Sequence, residues 1–230
     1  FRYSKIIGAN KEVAFFDRGF LEVDQLGGPI TGIEVMDEKI IIFKESNIFV
    51  TAGNGPDNSG LAGDTFPPPQ LISSDSGCVN ARSIVASSLG IFYQSKKGIY
   101  LLNRDATSTV YIGAPVEQFN DQVITAATLI PNEDKIIFLC DSGRTLVYNF
   151  YFNEWSTYSK FNGVGATIID DSYYFVSATG TAKVVVPDRF RDGSSPVRLN
   201  LTSGWLTADQ APGTRFICKS IYLLGKYRSS

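Results

Sequence analysis

Asp37-Glu38-Lys39-Ile40-Ile41-Ile42 and Glu133-Asp134-Lys135-Ile136-Ile137-Phe138 are two copies of one pattern: an acidic pair, a lysine, then a run of β-branched or aromatic residues. Related runs stand at Gly90-Ile91-Phe92-Tyr93 and at Ser172-Tyr173-Tyr174-Phe175. Counted from Lys39, Gly90, Lys135 and Ser172, the steps are 51, 45 and 37 residues. A second apolar run follows each copy within a few residues, at 47–50, 98–102, 145–150 and 181–186. These runs are too short for amphipathic helices, which need apolar positions three and four apart over about ten residues or more. They read as strands separated by tight turns.

Strand pairs recurring about every 45 residues have the spacing of propeller blades. A single four-stranded sheet with two apolar faces cannot stand alone, and stacking such sheets around an axis covers the faces and leaves only short edges. The expected fold is therefore all-β, a β-propeller with about four recognisable blades. The first blade is expected from strands at 30–33, 39–44, 48–50 and 71–73, the second from 83–85, 91–93, 99–102 and 110–112. The third is expected from 124–129, 136–139, 146–150 and 155–158, and the fourth from 166–169, 173–176 and 182–186. The repeated run is expected to be the inner strand of each blade. Residues 1–28, with short apolar runs at 6–7, 13–16 and 20–23, read as the remainder of a preceding blade. Trp155, after the Asn153-Glu154 turn, reads as an outer-strand anchor against the neighbouring sheet.

After Pro187 the chain turns polar, through Asp188-Arg189-Phe190-Arg191-Asp192-Gly193. Val197, Leu199 and Leu201 then alternate, and an apolar run returns at 217–224. The expected division is a propeller region over 1–190, and a β segment over 191–230 that closes the ring or begins a second domain. Phe1 as the first residue and the strand-like ending read as a segment of a longer polypeptide, so absent targeting signals carry no information.

Composition narrows the chemistry. The chain holds 230 residues, 43% hydrophobic, enough for a large core. Its 21 basic and 23 acidic residues are mixed and give a net charge of −2, with no basic stripe for nucleic acid. No apolar run approaches the roughly 18 residues that span a bilayer as a helix. There is no histidine, which excludes histidine-activated Ser or Cys nucleophiles within this segment and removes the commonest nitrogen ligand of zinc. Cys78, Cys140 and Cys218 are scattered and read as small buried hydrophobes. No catalytic residue, metal ligand or cofactor site is expected.

The acidic pairs Asp37/Glu38, Glu133/Asp134 and Asp170/Asp171 suggest glycosidase carboxylates at first sight. Each pair precedes a repeated strand, however, and a feature that recurs once per blade reads as turn chemistry. The glycine-rich loop over 53–64 holds Asn54, Asp57, Asn58 and Asp64, spaced unlike a calcium loop, and reads as a partner-contact loop. Arg82, just before the second blade, and Arg189 and Arg191, in the polar segment, complete the candidate contact residues.

One resemblance goes beyond fold. Ile48-Phe49-Val50-Thr51-Ala52-Gly53-Asn54-Gly55-Pro56-Asp57 is followed by Phe66, by Leu71-Ile72-Ser73 and by Gly77-Cys78-Val79-Asn80. Then come Gly90-Ile91-Phe92-Tyr93, Lys97-Gly98-Ile99-Tyr100-Leu101, Ile112-Gly113-Ala114-Pro115-Val116, Gly204-Trp205-Leu206 and Leu223-Leu224-Gly225-Lys226-Tyr227. Together these resemble the propeller-bearing tail nozzle or hub proteins of short-tailed bacteriophages, which stabilise packaged DNA. The resemblance implies a non-enzymatic virion protein, made in the host cytoplasm and built into the tail. It implies a ring of roughly six copies below the portal, contacts with portal or adaptor and tail-fibre proteins, no membrane, and passage of double-stranded DNA without sequence-specific binding. Two other classes fit the same composition: a carbohydrate-binding or glycan-hydrolysing propeller, and a cellular protein-interaction propeller.

Overall fold

The structure, a computed structural model, describes residues 2–4, 12–15, 19–53, 55, 66–158 and 161–186, and the backbone of 191–192 and 195–196. The chain divides into two compact units, 1–186 and 187–230.

Four antiparallel sheets follow one another along the first unit. The first is β1 (Ile30–Met36), β2 (Lys39–Lys44), β3 (Ile48–Ala52) and β4 (Gln70–Ser73). The second is β5 (Val85–Ala86), β6 (Gly90–Ser95), β7 (Gly98–Asn103) and β8 (Thr109–Tyr111). The third is β9 (Ile124–Ile130), β10 (Lys135–Cys140), β11 (Thr145–Asn149) and β12 (Glu154–Tyr158). The fourth is β13 (Gly163–Ile169), β14 (Ser172–Ser177) and β15 (Ala182–Val184). Each sheet is a simple meander, with strands neighbouring in chain order. In the second unit, β16 (Arg191–Asp192) pairs with β17 (Ser195–Pro196).

The acidic pairs make the first hairpin turn of sheets 1, 3 and 4. Asp37 (φ +54°), Asp134 (φ +51°), Asp170 (φ +47°) and Asp171 (φ +57°) all take the left-handed conformation. Aspartate tolerates that conformation better than most residues. Two successive positive φ angles at Asp170 and Asp171 match a two-residue I′ hairpin, whose twist suits the flanking strands.

Strand alternation explains why the sheets stack. Ile41 and Phe43 of β2 meet Ile91 and Tyr93 of β6 in one buried cluster. Phe92, between Ile91 and Tyr93, points to the opposite face and meets Ile136, Phe138 and Tyr148 of sheet 3. Ile137 and Leu139 alternate in turn and meet Tyr173 and Phe175 of sheet 4. β6 and β10 therefore each serve two blade interfaces with alternate side chains, as period-two geometry requires. Consecutive meanders of three or four strands, packed face to face in chain order, make this a β-propeller. The sheet 1 face turned away from sheet 2 is covered at Ile42 and Phe49 by Leu21, Tyr3 and Val23.

Polar clips join the blades. Thr31 Oγ1 donates to the Cys78 carbonyl (2.7 Å), and Thr125 Oγ1 repeats the device on the Gly163 carbonyl (3.3 Å). Gln94 is buried; its Nε2 donates to the Gln122 carbonyl (2.6 Å) and its Oε1 accepts from the Ile124 amide (2.9 Å). Trp155 packs with Phe138 and Tyr148, and its Nε1–H donates to the Ile112 carbonyl at the end of blade 2 (3.0 Å), the anchoring contact expected of it. Trp155→Phe removes one such bond and leaves the carbonyl unpaired. The expected loss is about 1–2 kcal/mol in urea unfolding.

The structure corrects three strand expectations. The repeated runs are the second strands, and the first strands lie closest to one another across blades: β9 runs beside β13 and beside the 81–83 segment. A strand with ladder partners on both sides is the most buried of its sheet, so apolar density marks the middle of a blade rather than its axial edge. Residues 83–85 were expected as a strand, but Ala81–Ser83 is a 3₁₀ turn and β5 spans only Val85–Ala86. There the Asn80 side chain accepts from the Arg82 amide (3.0 Å), and Ser83 Oγ donates to the Asn80 carbonyl (2.6 Å); short polar side chains that satisfy the local backbone compete with strand pairing. Finally, Val13 to Phe15 and Leu21 to Val23 form no strand, and the described N-terminal pairing is one bridge, Arg2 to Phe20. Ile6-Ile7 and the apolar positions beyond 196 lie outside the described residues.

Candidate functional site

Of the expected contact residues, Asn54, Asp57, Asn58, Asp64 and Arg189 lie outside the described residues. Arg191 is described only as backbone, in β16. Arg82 sits exposed on the 81–83 turn, and among the described residues its guanidinium has no ion-pair partner. The roots of the 53–69 loop are fixed. Thr51 Oγ1 donates to the Pro67 carbonyl (2.8 Å), and the Phe66 ring lies edge-on to Tyr3 (5.3 Å, 87°).

Two of the recurrent carboxylates have cationic partners. Asp37 binds Arg104 of sheet 2 through both carboxylate oxygens (2.7 and 3.1 Å), which holds its carboxyl below the usual carboxylate range. Glu133 pairs with Lys135 in its own hairpin (2.7 Å). Among the described residues no group of three metal-ligating side chains gathers.

Cys78 and Cys140 are free and buried, as their isolated positions suggested; Cys218 lies outside the described residues. Burial pushes both thiols up, Cys140 from 9.0 to about 11. An unfolded chain gives up that proton near pH 9, whereas the folded chain keeps it until about pH 11. Stability from this group is therefore complete below pH 9 and lost as pH rises toward 11, by at most about 2–3 kcal/mol. Urea midpoints of Cys140→Val should fall less over that window than those of the parent.

Two surface features escaped the sequence reading. The first is the β11–β12 hairpin. Asn149 Oδ1 accepts from the Tyr151 and Phe152 amides (3.1 and 3.0 Å), Asn153 takes φ +55°, and Tyr148 Oη donates to Asn153 Oδ1 (2.8 Å). The Phe150 amide is tied to the Asp134 carbonyl (2.9 Å). On this braced turn Tyr151 is 74% and Phe152 65% exposed, their rings 4.8 Å apart and nearly perpendicular (86°). The legible signal was a run of three aromatics, Phe150 to Phe152, between two turn-forming asparagines. The second feature is a groove of about 740 Å³ lined by Phe20, Leu21, Val23, Pro29, Ile30 and Lys44, with Glu22 and Asp24 also on its wall. Lys44 is buried, and its Nζ donates to the Asp24 and Leu26 carbonyls (both 2.6 Å) below the Phe49 ring (5.9 Å). Nothing in the local pattern around Lys44 announces a buried lysine.

No family model and no curated protein matches the sequence. Among solved structures the chain is similar to the computationally designed protein Ika4 (11% identity, TM-score 0.49, covering 74% of this chain and 98% of that one). It is also similar to BamB from Moraxella catarrhalis (13%, 0.48, covering 71% and 46%). PorZ of Porphyromonas gingivalis, a surface component of the type-IX secretion system, matches at 11% and 0.37, covering 77% and 28%. The chain thus spans about half of the BamB chain and less of PorZ.

Proposed function

We propose that this chain is a structural component of a short-tailed bacteriophage tail. It works by rigid packing and loop contacts, joins copies of itself and neighbouring tail parts, and lets double-stranded DNA pass without sequence-specific binding. The observation that supports this reading most is where the motif residues sit. Gly77-Cys78-Val79-Asn80 forms a joint between blades. The Gly77 and Cys78 amides donate to the Ser46 and Lys44 carbonyls, the Val79 amide to the Gln94 carbonyl, and Asn80 Nδ2 to the Ile124 carbonyl (2.8–3.0 Å), so four residues tie three sheets together. A side chain at Gly77 would approach backbone atoms of Lys44, Ser46 and Asn47 to 2.4–2.5 Å, so the joint admits only glycine. A motif spent on interlocking blades suits a stiff assembly part.

The test is direct. Mass spectrometry of purified virions should detect the chain in stoichiometric amount, and deleting residues 57–64 should leave thermal unfolding of the isolated protein unchanged while reducing particle yield. Absence of the chain from virions would end the proposal.

A further inference from the structure

We propose that sheet 4 is a detachable blade: it parts from sheet 3 while sheets 1 to 3 stay closed, because the joint between sheets 3 and 4 buries three hydroxyls without partners. The inference goes beyond the tail reading and does not rest on it.

The hydroxyls are Thr128 Oγ1, Thr145 Oγ1 and Tyr173 Oη; each is shut off from solvent and has no hydrogen-bond partner. Register places them in one joint. Thr128 stands opposite Ile137 and Thr145 opposite Leu139 in the ladders of sheet 3, and residues directly opposite share a face. That is the face which Ile137 and Leu139 turn toward Tyr173 and Phe175 of sheet 4. Among the described residues, neither of the other two joints buries an unpaired side-chain polar atom. Tyr93 is the counterexample: it is buried between sheets 1 and 2, but its Oη donates to Ser76 Oγ (3.2 Å), which is itself bonded to Thr109 Oγ1 (3.0 Å). Burial lifts both phenols above the usual tyrosine range; hydrogen bonding offsets part of the rise at Tyr93 and none at Tyr173.

The bonds that do cross this joint are long. Thr125 Oγ1 reaches the Gly163 carbonyl at 3.3 Å, and the Asn162 amide reaches the Gly143 carbonyl at 3.3 Å. Gln94 and Trp155 hold the joint of sheets 2 and 3 at 2.6 to 3.0 Å. Opening returns all three hydroxyls to water. Each therefore raises the open population by about five- to 150-fold over an apolar side chain of the same shape. Opening also bares Ile137, Leu139 and Val147 of sheet 3, which keeps the open form a minor state.

Hydrogen–deuterium exchange of the full 230-residue chain, read peptide by peptide, tests this. Amides of β13, β14 and β15 should share one opening, with weaker protection than those of β6 and β10. Tyr173→Phe removes one unpaired hydroxyl, so protection across sheet 4 should rise at least about fivefold. Thr128→Val and Thr145→Val, which keep the side-chain shape, should act in the same direction from the sheet 3 side. Phe43→Leu loosens the joint of sheets 1 and 2, which is intact in both the closed and the open form. It should lower protection of β6 and leave that of sheet 4 unchanged. Sheet 4 amides as protected as those of β6 and β10, or falling with β6 in Phe43→Leu, would overturn the proposal, because the blade would then open only with the whole fold. A Tyr173→Phe variant whose sheet 4 protection is unchanged or lower would overturn it too, because the hydroxyl would then be satisfied in the closed protein.

Discussion

Phe138→Ala is expected to destabilise the propeller by about 3–5 kcal/mol. Phe138 is fully buried in the cluster between sheets 2 and 3, with its ring 6.0 Å from Trp155. Truncation removes a whole ring from a site walled by two sheets and the Trp155 indole. β10 is held by ladders to both β9 and β11 and cannot shift to close the gap, so the cavity term adds to the lost transfer energy. A domain with an ordinary stability of about 5–15 kcal/mol loses a large share of it. Urea unfolding followed by circular dichroism measures the change, and a loss below about 1 kcal/mol would mean that this interface is not packed as described. Val110→Ala, at an exposed position of β8, is the control and should shift stability by less than about 0.5 kcal/mol.

Gln94→Leu is expected to cost nearly as much, for a different reason. The replacement matches the glutamine in size but leaves the Gln122 carbonyl and the Ile124 amide without partners at the joint of blades 2 and 3. Each unpaired buried group costs about 1–3 kcal/mol, so the loss should be about 2–6 kcal/mol. Gln94→Glu separates hydrogen bonding from packing. Its carboxylate still accepts from the Ile124 amide but faces the Gln122 carbonyl with a lone pair; only the protonated acid donates to that carbonyl. The folded state therefore raises the pKa of the new glutamate. Its stability should be greatest at low pH and fall as pH rises through the folded value. A pH-independent deficit would show that the clip contributes through shape alone.

These two residues also mark how far the sequence could be read. Phe138 was legible, because it stands in a repeated apolar run. Gln94 was not, because a lone polar residue at the end of Gly90-Ile91-Phe92-Tyr93 looks like the solvent end of a strand. Its partners are 28 and 30 residues away. Tyr151-Phe152 and Tyr173-Tyr174-Phe175 carry the same chemistry, but Tyr173 and Phe175 are buried between sheets while Tyr151 and Phe152 stand in water. The difference is that Tyr151 and Phe152 sit in a turn bracketed by Asn149 and Asn153, whereas Tyr173 and Phe175 sit inside a strand. Of the expected contact residues, Arg82 is exposed on the 81–83 turn, Arg191 is described only as backbone, and the others lie outside the described residues.

Sequence alone determined what depends on near neighbours. Alternation along each second strand, aspartates at three of the four first hairpin turns and the one tryptophan that opens an outer strand are local features, so strand positions and the blade repeat could be counted. Tertiary structure alone decided which strand lies toward the axis and which polar side chains lock blade to blade. Those outcomes follow from contacts between residues tens of positions apart, where burial and partner geometry outweigh any local preference.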